Sequence, residues 1–351
     1  MTATPPPTRV RVPLLLDAVA ERFEGAGLSA WAARTVAEAL VDSDMRGVPS
    51  HGVMLMPMYL DRLRAGSVST REQAEVVSEG GAVTVLDAHH GLGQLTGDQA
   101  MRLAVERSRE YGAGVTVVRH AFHFGGAYRY ALAAARAGCI GIAAANTRPL
   151  MPAPGGAEAV VGNNPLAIAA PAADGAEPIV LDMALSEAAL GKIRLAAQEG
   201  RDIPPTWATD AEGRPTTDPE AAIAGLLLPI GLHKGYGLAL MVDVLTGVLA
   251  GGGFGQRVKG LYADVAVPND VAHLFVALDV AAFAPPDAFA ERLATLAAEV
   301  TGADRAPGVE RVYLPGELAA ERRAAAARDG VALDRSTIDA LQAAGVVWSD
   351  P

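Results

Sequence analysis

From about Glu75 the chain alternates short β-rich runs with Ala-rich stretches, and this alternation restricts it to a sheet with helices packed on it. The runs read VTVLDA, GVTVVR, IGIAAAN, LAIAAP and PIVLDM, with helices expected near residues 98–110, 127–137 and 186–198. The residues before Glu75 read differently. Leu14, Leu15, Ala18, Val19 and Phe23 recur at helical spacing, and that run closes at Gly25 and Gly27. Ser29 is placed to cap a second helix with Ala33, Val36, Leu40 and Val41 on one face, and a third is predicted after Gly52. Further on, GRDIPPTWATDAEGRPTTDP is too rich in Pro and Gly for regular structure, and loops of this length are often functional. Gly235 to Leu249 then reads as a buried helix. A strand (HLFVALD), a helix from about Pro286, a strand ending at Leu314 and two amphipathic helices complete the pattern.

Composition narrows the function. At 351 residues the chain suits one large unit or two interleaved subdomains. Half of it is hydrophobic and a fifth charged, which excludes a disordered chain. A net charge of −11, with no basic run longer than Arg322-Arg323, argues against a nucleic-acid partner. The single cysteine, Cys139, lies in the apolar run AGCIGIAAA and reads as a buried, inert thiol. It excludes an internal disulfide and a Cys-rich zinc site. The apolar stretch VPLLLDAVA is short and broken by Asp17, so neither a signal peptide nor a membrane span is expected, and the cytoplasm is the default.

Two glycine clusters, GLGQLTG and GGGFG, invite a dinucleotide-binding reading. Neither has G-x-G-x-x-G spacing opening a helix directly after a strand, and neither has an acidic residue in the right place about 20 residues on. They read as turns and helix caps. Any nicotinamide cofactor must be bound without a Rossmann fold.

Candidate chemistry gathers at four places. His51 stands in SHG beside the Ser50 hydroxyl, and His123 stands in HFGG where a β-run meets a helix. Imidazole is the side chain best suited to exchange a proton near neutral pH. The HFGG glycines open a helix N-terminus, whose bare N–H groups suit an anion such as pyrophosphate. Asp182 ends the strand PIVLDM, where ligands collect in α/β sheets. Lys234 stands in HKGYG at a helix start. Ser50, His51 and Asp182 also permit a hydrolase. No G-x-S-x-G elbow occurs, and adjacent Ser50 and His51 are expected to diverge. No H-E-x-x-H pattern occurs, so no metal site is expected.

Longer motifs then fall in order: DMRGVPSHG, HFGGAYRYALAAARAGCIGIAAANTRP, PGGAEAVVGNNPLAIAAP, LDMALSEAALGK, IPPTWATDAEGRPTTDP, LLPIGLHKGYGLALMVDVLTGVLAG and LPGE. From about Leu14 to Leu341 the chain resembles the malate/L-lactate (L-sulfolactate) dehydrogenase family of NAD(P)-dependent oxidoreductases, which includes ureidoglycolate dehydrogenases and Δ1-piperideine-2-carboxylate reductases. The resemblance implies a non-Rossmann α/β mixed sheet, a helical subdomain built from both chain ends, and a homodimer. On that reading residues 1–74 supply the N-terminal helices, 75–225 the cofactor-binding α/β region, and 226–351 return to both parts.

By position, the resemblance makes His51, Ser50 and Asp182 members of a proton relay, with His123 an alternative acid/base beside the nicotinamide. It assigns cofactor contacts to His123, Phe124, Gly125, Gly126, Ala127, Thr147, Asp182, Met183, Ala184, Lys234, Pro315, Gly316 and Glu317. NAD or NADP is implied. Glu317, with no Arg directly after it, favours NAD, because a carboxylate repels a 2′-phosphate. Tyr59 takes a substrate-pocket position.

The departures concern the substrate. Leu55 stands where the family commonly has an arginine suited to gripping a carboxylate. Arg148, in NTRP, is placed to supply that charge instead. Phe122 replaces the family's Asn, and Leu185 the Thr of its DMATS motif. The pocket is therefore expected to be more apolar than usual, favouring a bulky 2-oxo acid or a cyclic 2-imino acid. The alternative is a catalytically altered relative that binds nucleotide or a partner.

Overall fold

The N-terminal helices form where their caps fall. A computed structural model describes residues 8–173 and 176–347. A short strand, β1 (Thr8–Val10), leads into α1 (Val12–Gly25). The Ser29 hydroxyl accepts from the Ala32 N–H at 3.2 Å and starts α2 (Ala30–Met45). The third helix, α3 (Met56–Ala65), begins later than the first residues after Gly52, because two single 3₁₀ turns at 49–51 and 53–55 come first.

The expected strands follow, with one addition at the sheet edge: β2 (Glu75–Gly80) precedes β3 (Val83–Asp87). Then come α4 (Gly93–Tyr111), β4 (Ala113–Ala121), α5 (Tyr128–Arg136) and β5 (Cys139–Ala145). The glycines at 93 and 97 lie inside α4, so GLGQLTG is part helix and not only turn. A small hairpin, β6 (Met151–Pro152) with β7 (Ala159–Val161), precedes β8 (Leu166–Ala170) and β9 (Ile179–Met183). Helices α6 (Leu190–Glu199) and α7 (Pro219–Ala224) flank the long loop, which holds only isolated bridges. After α8 (His233–Asp243) come β10 (Val271–Asp279), α9 (Val280–Phe283) and α10 (Pro286–Thr301). The chain closes with α11 (Glu317–Asp329), β11 (Val331–Leu333) and α12 (Arg335–Ala343).

Seven strands form one mixed sheet in the order β2-β3-β4-β10-β5-β8-β9. Only β3–β4 is parallel; β10 runs antiparallel to both neighbours at the centre. Period-two alternation sorts the strands' side chains. Val118, Ala143 and Phe275 face α4 and α5, where small residues such as Ala104 and Ala131 let helix and sheet approach closely. Val117, Ala144 and Leu274 face the other way, against Ile193 of α6 and Ala239 of α8.

A second core joins both chain ends. Leu15, Phe23, Val36, Leu40 and Leu60 pack with Val331, Ile338 and Leu341, and β1 pairs antiparallel with β11. The fully buried Arg62 donates to the carbonyls of Gly260, Leu261 and Val267, tying this helical unit to the loop after α8.

Two expectations fail. No strand ends at Leu314: residues 309–314 are irregular, a turn follows at 315–316, and the last short strand is β11. The stretch from Gly235 to Leu249 is helical, through α8 and a π-type turn at 244–248, but only part of it is buried. Leu238, Leu240, Met241, Val244, Leu245, Val248 and Leu249 are each 38–60% exposed. The apolar pattern is real, but it runs round the helix: Ala239 and Val242 pack on the sheet side, and the residues just named stay exposed.

Candidate active site

The end of α2 builds the first part of the site. Asp44 accepts the Val53 N–H at 2.7 Å and so holds the turn that carries Ser50 and His51. Gly52 is required here, since a Cβ would lie 2.0 Å from the Asp44 carboxylate. Burial pushes Asp44 up to about 7. In the 3₁₀ turn, Ser50 Oγ lies 3.0 Å from His51 Nδ1, so the expectation that these adjacent side chains diverge is corrected. A tight 3₁₀ turn folds them toward each other.

His123 arrives from the end of β4. The first turn of α4 backs it closely: a Cβ on Gly93 would sit 2.3 Å from the Phe122 carbonyl oxygen. The Tyr59 hydroxyl lies 2.6 Å from His123 Nδ1, and Gln94 Nε2 donates to the same hydroxyl at 3.0 Å. With its oxygen accepting from Gln94, the phenol is left to donate to His123 Nδ1. That arrangement selects the neutral tautomer with its proton on Nε2. Burial, with His51 and His273 nearby, holds His123 well below the usual imidazole range. The His51 and His123 rings stack with centroids 5.4 Å apart. Tyr59 is wholly buried behind His123, where it supports that ring, and it does not line the pocket as expected.

Asp182, at the end of β9, accepts the Tyr128 N–H at 3.2 Å, and burial within the surrounding protein raises it to about 6. This takes one of the helix-start donors that the HFGG motif offered to an anion. Among the described residues no carboxylate hydrogen-bonds His51, so the Ser50–His51 pair lacks the third member of a hydrolytic triad.

A cavity of about 840 Å³ joins these parts, within the range of small-molecule sites (roughly 300–1,000 Å³). Ser50, His51, Leu55, His123 to Ala127, Thr147, Arg148, Asp182 to Ala184, Pro315 and Gly316 all line it. Two predicted cofactor residues do not. Glu317 accepts the Leu314 N–H at 3.0 Å and pairs with Arg311, so it staples its own turn. Lys234 is exposed at the start of α8, outside the lining of its own chain's cavity.

Electrostatically the cavity opposes the rest of the molecule. Arg46, Arg148, Arg194, Lys259 and Arg322 line it against the single carboxylate of Asp182. Of the five, only Arg46 forms an ion pair among the described residues, with Asp42 at 2.7 Å. Burial and the neighbouring Arg194 lower Arg148 from its ordinary value, as befits a guanidinium without a carboxylate partner. Such a lining concentrates anions despite the net charge of −11. Sequence reasoning missed Arg194, which reads as an ordinary helix-surface residue, and His273, hidden inside the apolar run HLFVALD.

His273 is fully buried on β10, and burial drives it down to about 3. An unfolded chain would protonate it near 6.5, so stability from this group is complete above that pH and is lost as pH falls toward 3. The expected slope is about 1.4 kcal/mol per pH unit. His273→Phe is expected to flatten the acid limb of the stability profile by that amount. Urea unfolding between about pH 6 and 4 checks it, and identical slopes in both proteins would refute it.

A mixed sheet thus carries at its side a basic cavity with a stacked histidine pair. The chain belongs to the malate/L-lactate dehydrogenase family, whose model matches residues 10–342. It is similar to the malate dehydrogenase of Pyrococcus horikoshii, with 39% identity over 293 residues, spanning 81% of this chain and 80% of that one. The solved sulfolactate dehydrogenase of Methanocaldococcus jannaschii superposes with a TM-score of 0.91 at 33% identity, covering 96% of both chains. The solved delta1-piperideine-2-carboxylate reductase of Pseudomonas syringae pvar. tomato gives 0.84 at 30% identity, covering 96% of this chain and 99% of that one. Among the described residues, no helix is long and apolar enough to cross a membrane, and no cluster of His, Cys, Asp or Glu is arranged to hold a metal ion.

Proposed function

We propose that the chain is an NAD(P)H-dependent oxidoreductase that reduces a 2-oxo acid or a cyclic 2-imino acid, or oxidises the matching hydroxy or amino acid. The observation that carries this reading is the stacked His51–His123 pair beside a cavity in which four of five lining cations lack an acidic partner among the described residues. The lining fits the group that the family implies. A nicotinamide dinucleotide carries two phosphates, and Lys259 and Arg322 are cavity cations without an acidic partner among the described residues. The segments Phe124 to Ala127 and Asp182 to Ala184, with Thr147, Pro315 and Gly316, would hold it. When bound, the cofactor supplies the hydride.

The chain's own residues do the rest. Reduction at the carbon beside a carboxylate builds negative charge on the carbonyl oxygen or imine nitrogen, and a nearby acid lowers that barrier. His123 offers its Nε2–H to that developing charge as a hydrogen-bond donor, from a position fixed by Tyr59. His51, joined to the Ser50 hydroxyl, delivers the proton as an imidazolium, returns to the neutral ring and is reprotonated from solvent. Arg148 supports the substrate carboxylate, and Leu55 makes its wall apolar. Measuring NADH and NADPH oxidation against 2-oxo acids and cyclic imino acids tests this reading. Absence of turnover, together with no thermal protection by either nucleotide, would overturn it.

We further propose a homodimer formed through the apolar face of α8 and the turn after it, since a patch of this kind marks an interface. Lys234 sits on the same helix and misses its own cavity, so its cofactor role requires that a second copy bring it into place. Sedimentation at micromolar concentration is expected to give a dimer. Lys234→Ala is expected to weaken nucleotide binding about tenfold or more, in line with a lost charge-assisted hydrogen bond, without unfolding the protein. A monomer in solution, or unchanged affinity by calorimetry, counts against the respective proposal.

A further inference from the structure

His273 is the one cavity-lining side chain that is fully buried yet has no hydrogen-bond partner at either ring nitrogen among the described residues. It stands on the central strand, registered with Val118 of β4 and Ala145 of β5, and its ring stacks on Phe124 with centroids 4.5 Å apart. Burial keeps the imidazole neutral, so one nitrogen donates and the other accepts. Buried polar groups are normally paired, and an orphan in the wall of a cavity calls for a partner from a ligand.

The surroundings select the partner's chemistry. Phe124, Ala145 and Val271 make the wall around His273 apolar, so an anionic group would be poorly solvated there. The cations Arg148 and Arg194 offer carboxylates a better place in the same cavity. What suits an uncharged imidazole in an apolar wall is an uncharged group with an N–H to give. We infer that His273 recognises the carboxamide of the nicotinamide ring, an amide N–H donating to its free ring nitrogen. This rests on the nicotinamide reading above. It also gives HLFVALD a specific duty beyond filling the sheet.

The test compares binding of NADH with that of reduced 3-acetylpyridine adenine dinucleotide, which has a methyl group in place of the amide nitrogen. Wild-type protein is expected to bind NADH about tenfold or more tightly than the analogue, as for a buried acceptor left unpaired. His273→Leu is expected to bring the two affinities together by weakening NADH. His273→Gln, which keeps an acceptor, is expected to recover part of the difference. Equal binding by wild type, a measurement that needs no variant, would overturn the proposal. So would a preference that survives in His273→Leu, because the nitrogen would then serve only a buried water. If wild type binds neither NADH nor NADPH, the nicotinamide reading itself fails, an outcome distinct from equal binding of the two compounds.

Discussion

Turnover is expected to fall by ~10²–10⁴-fold when either His51 or His123 is replaced by alanine, the range for lost general acid–base catalysis. The two losses should not multiply. The rings stack at 5.4 Å, and both serve the same developing charge, so the double variant is expected to resemble the worse single one. Tyr59→Phe separates their roles. It leaves His51 and Ser50 untouched but removes the hydroxyl that fixes the His123 tautomer. If His123 is the donor, this variant shifts the pH–rate profile; if His51 is, the profile stays. Single variants that both retain wild-type turnover, with thermal unfolding unchanged, would remove the histidine pair from the mechanism.

The second large effect concerns Arg148. An acidic substrate cannot be buried without a counter-charge, and Leu55, only 2% exposed, offers none. Arg148→Ala is expected to lower kcat/KM by ~10²-fold, in line with ~2–5 kcal/mol for truncating one partner of a buried charge pair. Arg194 stands beside it as a second unpaired cation, so the residual activity should fall again in Arg148→Ala/Arg194→Ala. Leu55→Arg is expected to widen acceptance toward small 2-oxo acids, because its guanidinium has only the cavity to project into. Wild-type kinetics in Arg148→Ala on the best substrate would sink the idea that this arginine replaces the missing one.

The sheet was legible in the sequence because each strand alternates its side chains between two helix layers, as Val117 and Val118 do. The strand expected to end at Leu314 was not, because an extended apolar run carries no record of whether a neighbour pairs with it. The exposed face of α8 misled for a related reason. Leu238 to Leu249 have the composition of a core, and composition does not say which of these residues the sheet will cover. At the site, most residues tied to long motifs converge on one cavity, with Lys234 and Glu317 the exceptions. Those that act through distance in sequence, such as Tyr59 behind His123 and Arg194 beside Arg148, become visible only once α3 and α6 are in place.

The position of β10 has a consequence for how the chain is made. The strand lies between β4 and β5, yet it leaves the ribosome long after both, and β1 waits longer still for β11. Until the 271–279 segment emerges, β4 and β5 each have an unsatisfied edge, and such edges invite pairing with other chains. Closing loops of this size is also slow, since their entropy must be overcome before the contacts form. Nascent chains of this protein therefore pass through an interval in which the half-built sheet presents two open edges to whatever strand is nearby.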